Sequence, residues 1–504
     1  MKINFSRFLK KQNILLSLLI LIGAYLRIPG VLGNYFAFTY DVGRDMLAVY
    51  DIVFLHKIPL VGAIFGGAPS AGIGIFYGPW WYYFLSLPYV LSFGNPQGVV
   101  LAMALIGIVT IFFGYLFGKR IGGNFLGLAF AALIAVSPIL ISLSSQIWNP
   151  NVSPIIVIFC LAIIYRIYSE NKPKLRYYFI LGFLIALVID LEIVFGVLLA
   201  IGLILAVTVI KNKQIQFKSI ISFFVGVFII FSPRIIFELR HQFLMTTSLF
   251  KFLTTSGNSQ SSNLIKNFAN IIVMIFNQFN STIALNNEIL GIIIILFIVL
   301  TTMLFYKKAS LINKQFIKTS LIVLFTFLTG LIFFHHDIFG YYLIGLPVFY
   351  LLLFCLSINL VIQNTKNYVI PGIIILVLFL INLNPVAIIN NLGKSAWVGD
   401  ASVYKNQLQV VDYIYGQARG KSFKEQVYTP PIYDYPYRYL FKWYGPNKYH
   451  YGPDNNSHLA FFILEPDLQY PSRLTDWLKF REKDGKIIKT ETFKSGIIVQ
   501  TRIH

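Results

Sequence analysis

Residues 179–210 of the chain read FILGFLIALVIDLEIVFGVLLAIGLILAVTVI. A transmembrane helix needs about 20 mostly apolar residues, within a range of about 17–25, so this stretch is too long for one untilted helix. Asp190 and Glu192 lie near its middle. We interpret the stretch as two short membrane helices that meet at these two acids on the side of the membrane away from the cytoplasm, called the outer side below.

The composition of the whole chain agrees with a membrane protein. Of its 504 residues, 57% are hydrophobic, 16% are aromatic and 12% are charged, whereas a water-soluble protein carries about 25% charged residues. This excludes an ordinary soluble enzyme, a disordered chain and a fibrous repeat.

The net charge of +21 then indicates basic cytoplasmic loops, and a nucleic acid is not an expected partner. Cys160 and Cys355 lie inside apolar runs, a position that suits neither a disulfide framework nor a metal–thiolate site.

Further apolar runs bring the predicted number of spans to about eleven. These runs are Ile14–Leu32, Val99–Phe117, Phe125–Leu143, Val152–Tyr165, Ile220–Phe237, Ile289–Phe305, Ile317–Phe334, Tyr341–Ile362 and Tyr368–Leu383. In the first run, Arg27 and Pro29 stand where a signal peptide would have a small-residue cleavage site, so we expect this run to be retained as an anchor. The fold class is therefore predicted to be a mainly α-helical, polytopic membrane bundle.

Basic residues fall on alternate connections between these runs. They are Lys119, Arg120, Arg166, Lys172, Lys174, Arg176, Lys211, Lys213, Lys218, Lys307, Lys308, Lys314, Lys318 and Lys366, and they share a side with the basic N-terminus. The positive-inside rule therefore places the N-terminus in the cytoplasm. An odd number of spans places everything after about Pro385 outside, so we predict a multi-pass protein of the plasma (inner) membrane with an extracytoplasmic C-terminal region.

The composition changes sharply after the last apolar run. From about Asn390 onwards the chain is polar and rich in tyrosine. This region shows four successive patterns: a helix, a strand, a second helix and a hairpin. They lie at Leu408, Val411 and Ile414, at Leu459–Leu464, at Leu474–Phe480, and at Lys486–Thr492 with Gly496–Ile503. We predict a membrane domain at 1–387 and a small extracytoplasmic α/β domain at 388–504.

The first outer loop opens with the segment Tyr40-Asp41-Val42-Gly43-Arg44-Asp45. Met46–Leu55 is predicted to form a helix in the membrane interface, and the aromatic residues 80–83 are typical of headgroup depth. Two carboxylates that flank a guanidinium can hold one another in place, and an acid there can act as a general base towards a hydroxyl. The alternative is a helix cap with a solvated salt bridge, which contributes about 0–1 kcal/mol.

This arrangement resembles the GT-C glycosyltransferases, which include the protein O-mannosyltransferases and the aminoarabinose lipid A transferases. The resemblance rests on the basic N-terminus, one span and a long outer loop that opens with an acid. It also rests on the Pro-Leu-x-Gly turn at residues 59–62, Gly-Pro-Trp-Trp-Tyr-Tyr-Phe-Leu at residues 78–85, and Phe-Gly-Asn-Pro at residues 93–96. It implies that residues 1–387 form a catalytic membrane domain with Asp41 as the base. Many members carry an Asp-Glu pair at this position, whereas here the second acid is Asp45, beyond Arg44.

The resemblance also implies the substrates. The donor would be a polyprenyl-phosphate sugar, the reaction would invert the sugar, and the acceptor would be a hydroxyl of a glycan, a lipid or a protein, with membrane lipid around the bundle. Because the leaving phosphate is anionic, cations should face it. The candidate substrate-binding residues are Arg44, Asp45, Glu192, Arg234, Glu238, Arg240, His241, His335, His336, Tyr341 and Tyr342.

Several of these residues have simpler interpretations. An acid at membrane depth, such as Glu192, indicates function, but arginines at helix ends, such as Arg234 and Arg240, often extend to the interface for solvation alone. His335 and His336 could bind a divalent cation or belong to a solvated loop. The sequence requires no cofactor.

Two other classes of protein remain as alternatives. A transporter or flippase of lipid-linked sugars would place its binding groups near the bilayer midplane, often in repeated halves. Here the ionisable residues gather in outer loops and at outer helix ends, and the segment from Asp41 to Pro96 has no second copy in the sequence. The second alternative is a non-catalytic membrane protein whose outer domain binds a glycan, and the tyrosine-rich segment would suit such a domain.

Overall fold

The computed structural model describes residues 11–66, 74–211, 215–254, 264–334, 336–383, 399–430 and 433–503. In the first half of the chain the helices are α1 (Lys11–Tyr25), α2 (Ile28–Leu32), α3 (Tyr40–Leu55), α4 (Trp80–Leu91), α5 (Pro96–Val136), α6 (Pro138–Leu143), α7 (Ser153–Ser169), α8 (Leu175–Leu191), α9 (Ile193–Lys211) and α10 (Phe217–Arg240). In the second half they are α11 (Leu244–Thr254), α12 (Leu264–Ile283), α13 (Glu288–Phe305), α14 (Leu311–Ile332), α15 (Leu346–Thr365), α16 (Val369–Asn382), α17 (Tyr404–Ala418), α18 (Tyr435–Tyr449) and α19 (Pro471–Phe480).

The helices confirm the predicted fold class. Within the described residues, eight helices are long and apolar enough to cross a membrane, and each coincides with a predicted run. The helix α5 joins two predicted runs across a kink at Gly122 and Gly123, where the backbone leaves helical geometry. Glu192 separates α8 from α9, as the opening stretch of sequence predicts. The count of about eleven spans stays a prediction, because it also includes α8, α16 and the part of α5 beyond the kink.

The helix α15 lies at the centre of the bundle. Its span is 94% buried inside the protein, whereas the spans of α10 and α13 are each only 17% buried. A helix that is apolar on every side can be either a core helix or a lipid-facing one. The burial separates the two cases here, so α15 is the core around which lipid-facing helices pack.

The C-terminal region forms a small α/β domain. Its strands are β1 (Lys424–Tyr428), β2 (Leu459–Leu464), β3 (Lys486–Thr492) and β4 (Ile498–Ile503), in the order β1-β2-β4-β3. β1 runs parallel to β2, and the other pairs are antiparallel, with Ile463 opposite both Val427 and Val499. The predicted strand and hairpin are confirmed. The predicted boundary between 387 and 388 lies outside the described residues and stays a prediction.

The C-terminal domain sits directly on the first outer loop. The amide of Phe38 donates to the Ser402 carbonyl at 2.7 Å, and the amide of Tyr404 donates to the Phe36 carbonyl at 3.0 Å. The helix α18 packs across α3, where a Cβ added to Gly43 would lie 2.4 Å from the Pro436 nitrogen. The first loop and the last domain, which the sequence predicts to lie on the same side of the membrane, are therefore in contact.

Candidate active site

The candidate site begins at the first turns of α3. This helix begins at Tyr40, earlier than the predicted Met46, so Asp41, Arg44 and Asp45 occupy one helical face. The Arg44 guanidinium lies 2.6 Å from Asp41 Oδ1 and 2.8 Å from Asp45 Oδ1. The predicted contact of two carboxylates with one guanidinium is thus present.

The two acids of this group differ in their surroundings. The Asp45 side chain is only 1% exposed, and its second oxygen accepts a hydrogen bond from the Trp81 indole at 2.8 Å. The Asp41 side chain is 26% exposed. Because Asp45 is enclosed and fully bonded, it can fix Arg44, and Arg44 in turn fixes Asp41, which remains accessible to a substrate.

The surroundings of Asp41 favour the properties of a base. Burial raises the pKa of its carboxyl group above the ordinary value, Arg44 opposes this shift, and the nearby charge of Asp45 adds to it. The hydroxyl of Tyr40 lies beside the same carboxylate. A carboxylate with a raised pKa accepts a proton more readily than an ordinary one, while Arg44 favours the ionised form that a base needs.

Glu192 is a second acidic residue of the candidate site. Its side chain is buried, and its Oε2 accepts a hydrogen bond from the Tyr77 hydroxyl at 3.1 Å. Its Oε1 is buried with no hydrogen-bond partner among the residues that the structure describes. Tyr341 lies near enough to feel the charges of both Glu192 and Asp41. Tyr77 was missed by the sequence reasoning, because an isolated tyrosine in a loop carries no pattern.

Arg234 is held by the other acid of the opening stretch. Its guanidinium lies 3.1 Å from Asp190 Oδ1, and Asp190 also accepts the Trp80 amide at 3.3 Å. Gly78 lies against this acid so closely that a Cβ there would overlap the carboxylate. The pair joins α8, α10 and the loop before α4, and a role for Arg234 in substrate binding stays a prediction.

The remaining predicted residues near the end of α10 are Glu238, Arg240 and His241. Glu238 accepts the amides of Met245 and Thr246 at 2.7 and 2.9 Å, and so satisfies the first turn of α11. His241 stacks on Phe237 with the ring centroids 4.0 Å apart. The Arg240 side chain is exposed. These contacts explain how the turn after α10 is held, and they leave the predicted binding roles untested.

The predicted histidine pair falls partly outside the described residues, because His335 is not among them. His336 stacks on Phe252 with the centroids 3.7 Å apart, and its Nε2 lies 2.8 Å from the Phe252 carbonyl oxygen. Tyr342 is buried beside Tyr341, with the ring centroids 4.9 Å apart. In the described parts of the chain, no group of three or more His, Cys, Asp or Glu side chains comes together as a metal site.

The helical bundle, the acidic helix α3 and the small C-terminal domain agree with the fold that the resemblance to the GT-C glycosyltransferases predicts. Residues 77–237 match the family model described as dolichyl-phosphate-mannose-protein mannosyltransferase. This match confirms the predicted resemblance to the GT-C glycosyltransferases. The matched segment contains Tyr77, Asp190, Glu192 and Arg234, but it begins after Asp41.

Two of the solved structures with a similar course of the chain are the following. One is ArnT from Cupriavidus metallidurans in the apo state, with 10% identity, 90% of this chain and 97% of that chain covered, and a TM-score of 0.49. Another is the archaeal oligosaccharyltransferase AglB from Archaeoglobus fulgidus in complex with an inhibitory peptide and a dolichol-phosphate, with 14% identity, 77% of this chain and 56% of that chain covered, and a TM-score of 0.46. A search of curated proteins finds no match to the sequence.

Proposed function

We propose that this protein transfers a sugar from a polyprenyl-phosphate donor to a hydroxyl acceptor on the outer side of the membrane, with inversion and with Asp41 as the general base. The acceptor oxygen forms a bond to the anomeric carbon while the bond from that carbon to the phosphate oxygen breaks. The acceptor proton passes to Asp41, and polyprenyl phosphate leaves. The match of residues 77–237 to the mannosyltransferase family model supports this reaction class.

The observation that carries the proposal is the fixed but accessible carboxylate of Asp41. Arg44 forms an ion pair with it at 2.6 Å, and the buried Asp45 forms a second ion pair with Arg44. A general base must reach the acceptor proton in one defined orientation, and a support of buried hydrogen bonds provides that orientation. Glu192, with one buried and unpartnered oxygen among the described residues, is proposed as a second acid of the donor site.

The bundle also offers space for an isoprenoid tail. A cavity of about 600 Å³ opens between α12, α13, α14 and α15, and its lining is aliphatic and aromatic, with Tyr350 as its one hydroxyl-bearing side chain. The Tyr350 hydroxyl donates to Gln278, whose amide donates to the Leu343 carbonyl at 2.8 Å. Leu343 directly follows Tyr341 and Tyr342 in the chain, so these hydrogen bonds connect the wall of the apolar cavity to the segment that carries the two tyrosines.

The test replaces Asp41 with asparagine, which keeps the shape of the side chain and removes its basicity. We expect turnover with a purified polyprenyl-phosphate sugar to fall about 10²- to 10⁴-fold, while the melting temperature stays within a few degrees of wild type. The matched control is Asp51→Asn on the same helix, since Asp51 is bound to Lys57 and Lys442 at the surface. Wild-type turnover in Asp41→Asn would remove Asp41 as the base.

The Asp41→Asn variant also separates a transferase from a flippase when the protein is placed in vesicles. A flippase would move the lipid-linked sugar across a vesicle membrane without breaking the bond between the sugar and the phosphate. We therefore expect wild-type protein in vesicles to release polyprenyl phosphate only when an acceptor is present. Translocation of the intact donor, unchanged by Asp41→Asn, would favour the flippase.

The pH dependence of turnover follows from the surroundings of Asp41. The base must be ionised, so kcat/KM rises with pH through the pKa of Asp41, which burial raises above its ordinary value. Arg44 lowers this pKa, so Arg44→Gln should move the acidic limb of the profile to higher pH, whereas Arg44→Lys should move it less. A limb that stays in place or moves to lower pH in Arg44→Gln would contradict the assignment.

A further inference from the structure

A row of tyrosine rings extends from the candidate base to the C-terminal domain. Tyr40, beside Asp41, stacks on Tyr433 with the ring centroids 6.0 Å apart and the planes inclined by 26°. Tyr433 stacks on Tyr435 with the centroids 5.5 Å apart and the planes inclined by 4°. These three residues are called the tyrosine platform below.

The faces of the tyrosine platform are partly open. Carbon atoms in contact lie about 3.5–4.0 Å apart, so near-parallel rings whose centroids are 5.5 Å apart are displaced sideways and leave part of each face uncovered. Tyr433 is 54% exposed and Tyr40 is 36% exposed. Large aromatic side chains bury much apolar surface when they can, and here they remain exposed beside a candidate site.

Polar side chains flank the rings. Asp434 and Arg438 approach each other at 4.0 Å, and their side chains are 43% and 57% exposed. An exposed ion pair at this distance is weak, so both groups are available for other hydrogen bonds. The Arg438 guanidinium also lies over the Tyr435 ring, 5.8 Å from its centroid.

Contacts before and after the rings connect the platform to its surroundings and to the helix that carries Asp41. The Tyr433 carbonyl accepts a hydrogen bond from the Thr429 hydroxyl at 2.9 Å. After Tyr435, the Pro436 backbone rests on Gly43 of α3. The buried Tyr437 then donates to Glu465 at 3.0 Å. The rings thus keep a fixed position on the outer side of the helix that carries the candidate base.

We propose that the tyrosine platform binds a sugar residue of the acceptor, so that the acceptor is a glycan. This inference rests on the proposed function. One face of a sugar ring is a layer of C–H groups that packs on an aromatic face, while its hydroxyls bond to neighbouring polar groups. Asp434 and Arg438 supply those groups, and Tyr40 brings the terminal sugar hydroxyl to Asp41. An extended peptide would instead be held by a row of backbone N–H and C=O groups, as at a sheet edge.

The test measures binding of sugars to the full chain in lipid nanodiscs by saturation-transfer NMR. The probes are the neutral tetrasaccharides cellotetraose, maltotetraose, chitotetraose and mannotetraose. We expect at least one of them to bind, and Tyr433→Ala to weaken its affinity up to about tenfold, as the loss of one stacked ring does. Tyr433→Trp should preserve binding, since it keeps an aromatic face. The matched control is Tyr470→Ala, because Tyr470 is 50% exposed in the same domain and contacts Arg473.

The two proposals fail in different ways in this experiment. Asp41→Asn should bind the tetrasaccharide as wild type does, because binding does not need the base. Wild-type turnover in Asp41→Asn, together with weaker binding in Tyr433→Ala, would remove the base and leave the platform. The platform is overturned if wild type binds none of the tetrasaccharides, if Tyr433→Ala binds equally well, or if a serine- and threonine-containing peptide displaces the sugar.

Discussion

Two pairs of an aspartate and an arginine lie in this protein, and they differ in what surrounds them. Asp41 and Arg44 share one turn of α3, with side chains 26% and 25% exposed. Asp190 and Arg234 join α8 to α10, with side chains 0% and 13% exposed. The contact distances are similar, at 2.6 and 3.1 Å. Exposure therefore distinguishes a group that can meet a substrate from a group that holds helices together.

Substitution at the buried pair, Asp190 and Arg234, is expected to cost the most stability. Asp190→Ala leaves Arg234 buried without its acid, and breaking a buried pair costs about 3–5 kcal/mol in the free energy of unfolding. Denaturation in mixed detergent micelles measures this value. Asp41→Asn should cost less than 1 kcal/mol in the same assay. Replacing both partners by apolar residues, as in Asp190→Leu with Arg234→Met, should recover most of the loss, because no unpaired charge then remains. Equal losses in Asp190→Ala and Asp41→Asn would show that the buried pair contributes no more to stability than the exposed pair.

A smaller loss of stability is expected at Gly43, where the helix that carries Asp41 and Arg44 packs against the C-terminal domain. In Gly43→Ala the added carbon would lie 2.4 Å from the Pro436 nitrogen, so α3 and α18 must separate, at a cost of about 1–3 kcal/mol. Faster proteolytic release of the C-terminal domain would report this change. Gly416→Ala in α17 is the control, because a carbon added there meets nothing within 4 Å, and alanine favours a helix. Equal cleavage rates in the two variants would argue against close packing at Gly43.

The smallest effect is expected at the surface contact between the same two helices. Lys442 lies 3.3 Å from Asp51, and their side chains are 37% and 29% exposed. Surface pairs contribute about 0–1 kcal/mol, and Asp51 keeps Lys57 at 2.7 Å. Lys442→Ala should therefore change the free energy of unfolding by less than 1 kcal/mol, and added salt should reduce that difference. A loss comparable to that of Asp190→Ala would show that side-chain exposure does not determine how much an ion pair contributes to stability.

The sequence was sufficient for the class of fold and for much of the helical pattern. Apolar runs, the break at Glu192 and the strand Leu459–Leu464 all depend on local composition and periodicity, which a single sequence carries. The contact of Asp41, Arg44 and Asp45 was also within reach, because residues three and four apart share a helical face. The early start of α3 at Tyr40 was missed, since the glycine at position 43 weakens the helical pattern.

The contacts that complete the site could not be predicted from the sequence. Trp81 donates to Asp45, Tyr77 donates to Glu192, and Tyr433 stacks on Tyr40, across separations that no periodicity spans. Such pairs depend on how the helices pack in three dimensions. The one available signal was Gly43, because a glycine inside a helical pattern often has a packing reason. The structure shows that reason to be the close approach of Pro436.

The docking of the last domain on α3 also has a consequence for biosynthesis. Lys442 and its partner Asp51 are 391 positions apart, and a ribosome adds about 5–20 residues per second. The helix with the candidate base thus emerges roughly 20–80 s before the surface that covers it. A nascent chain already carries Asp41, Arg44 and Asp45 but lacks two of the three rings of the tyrosine platform, so the site is complete only after the C-terminal domain has been made and has folded.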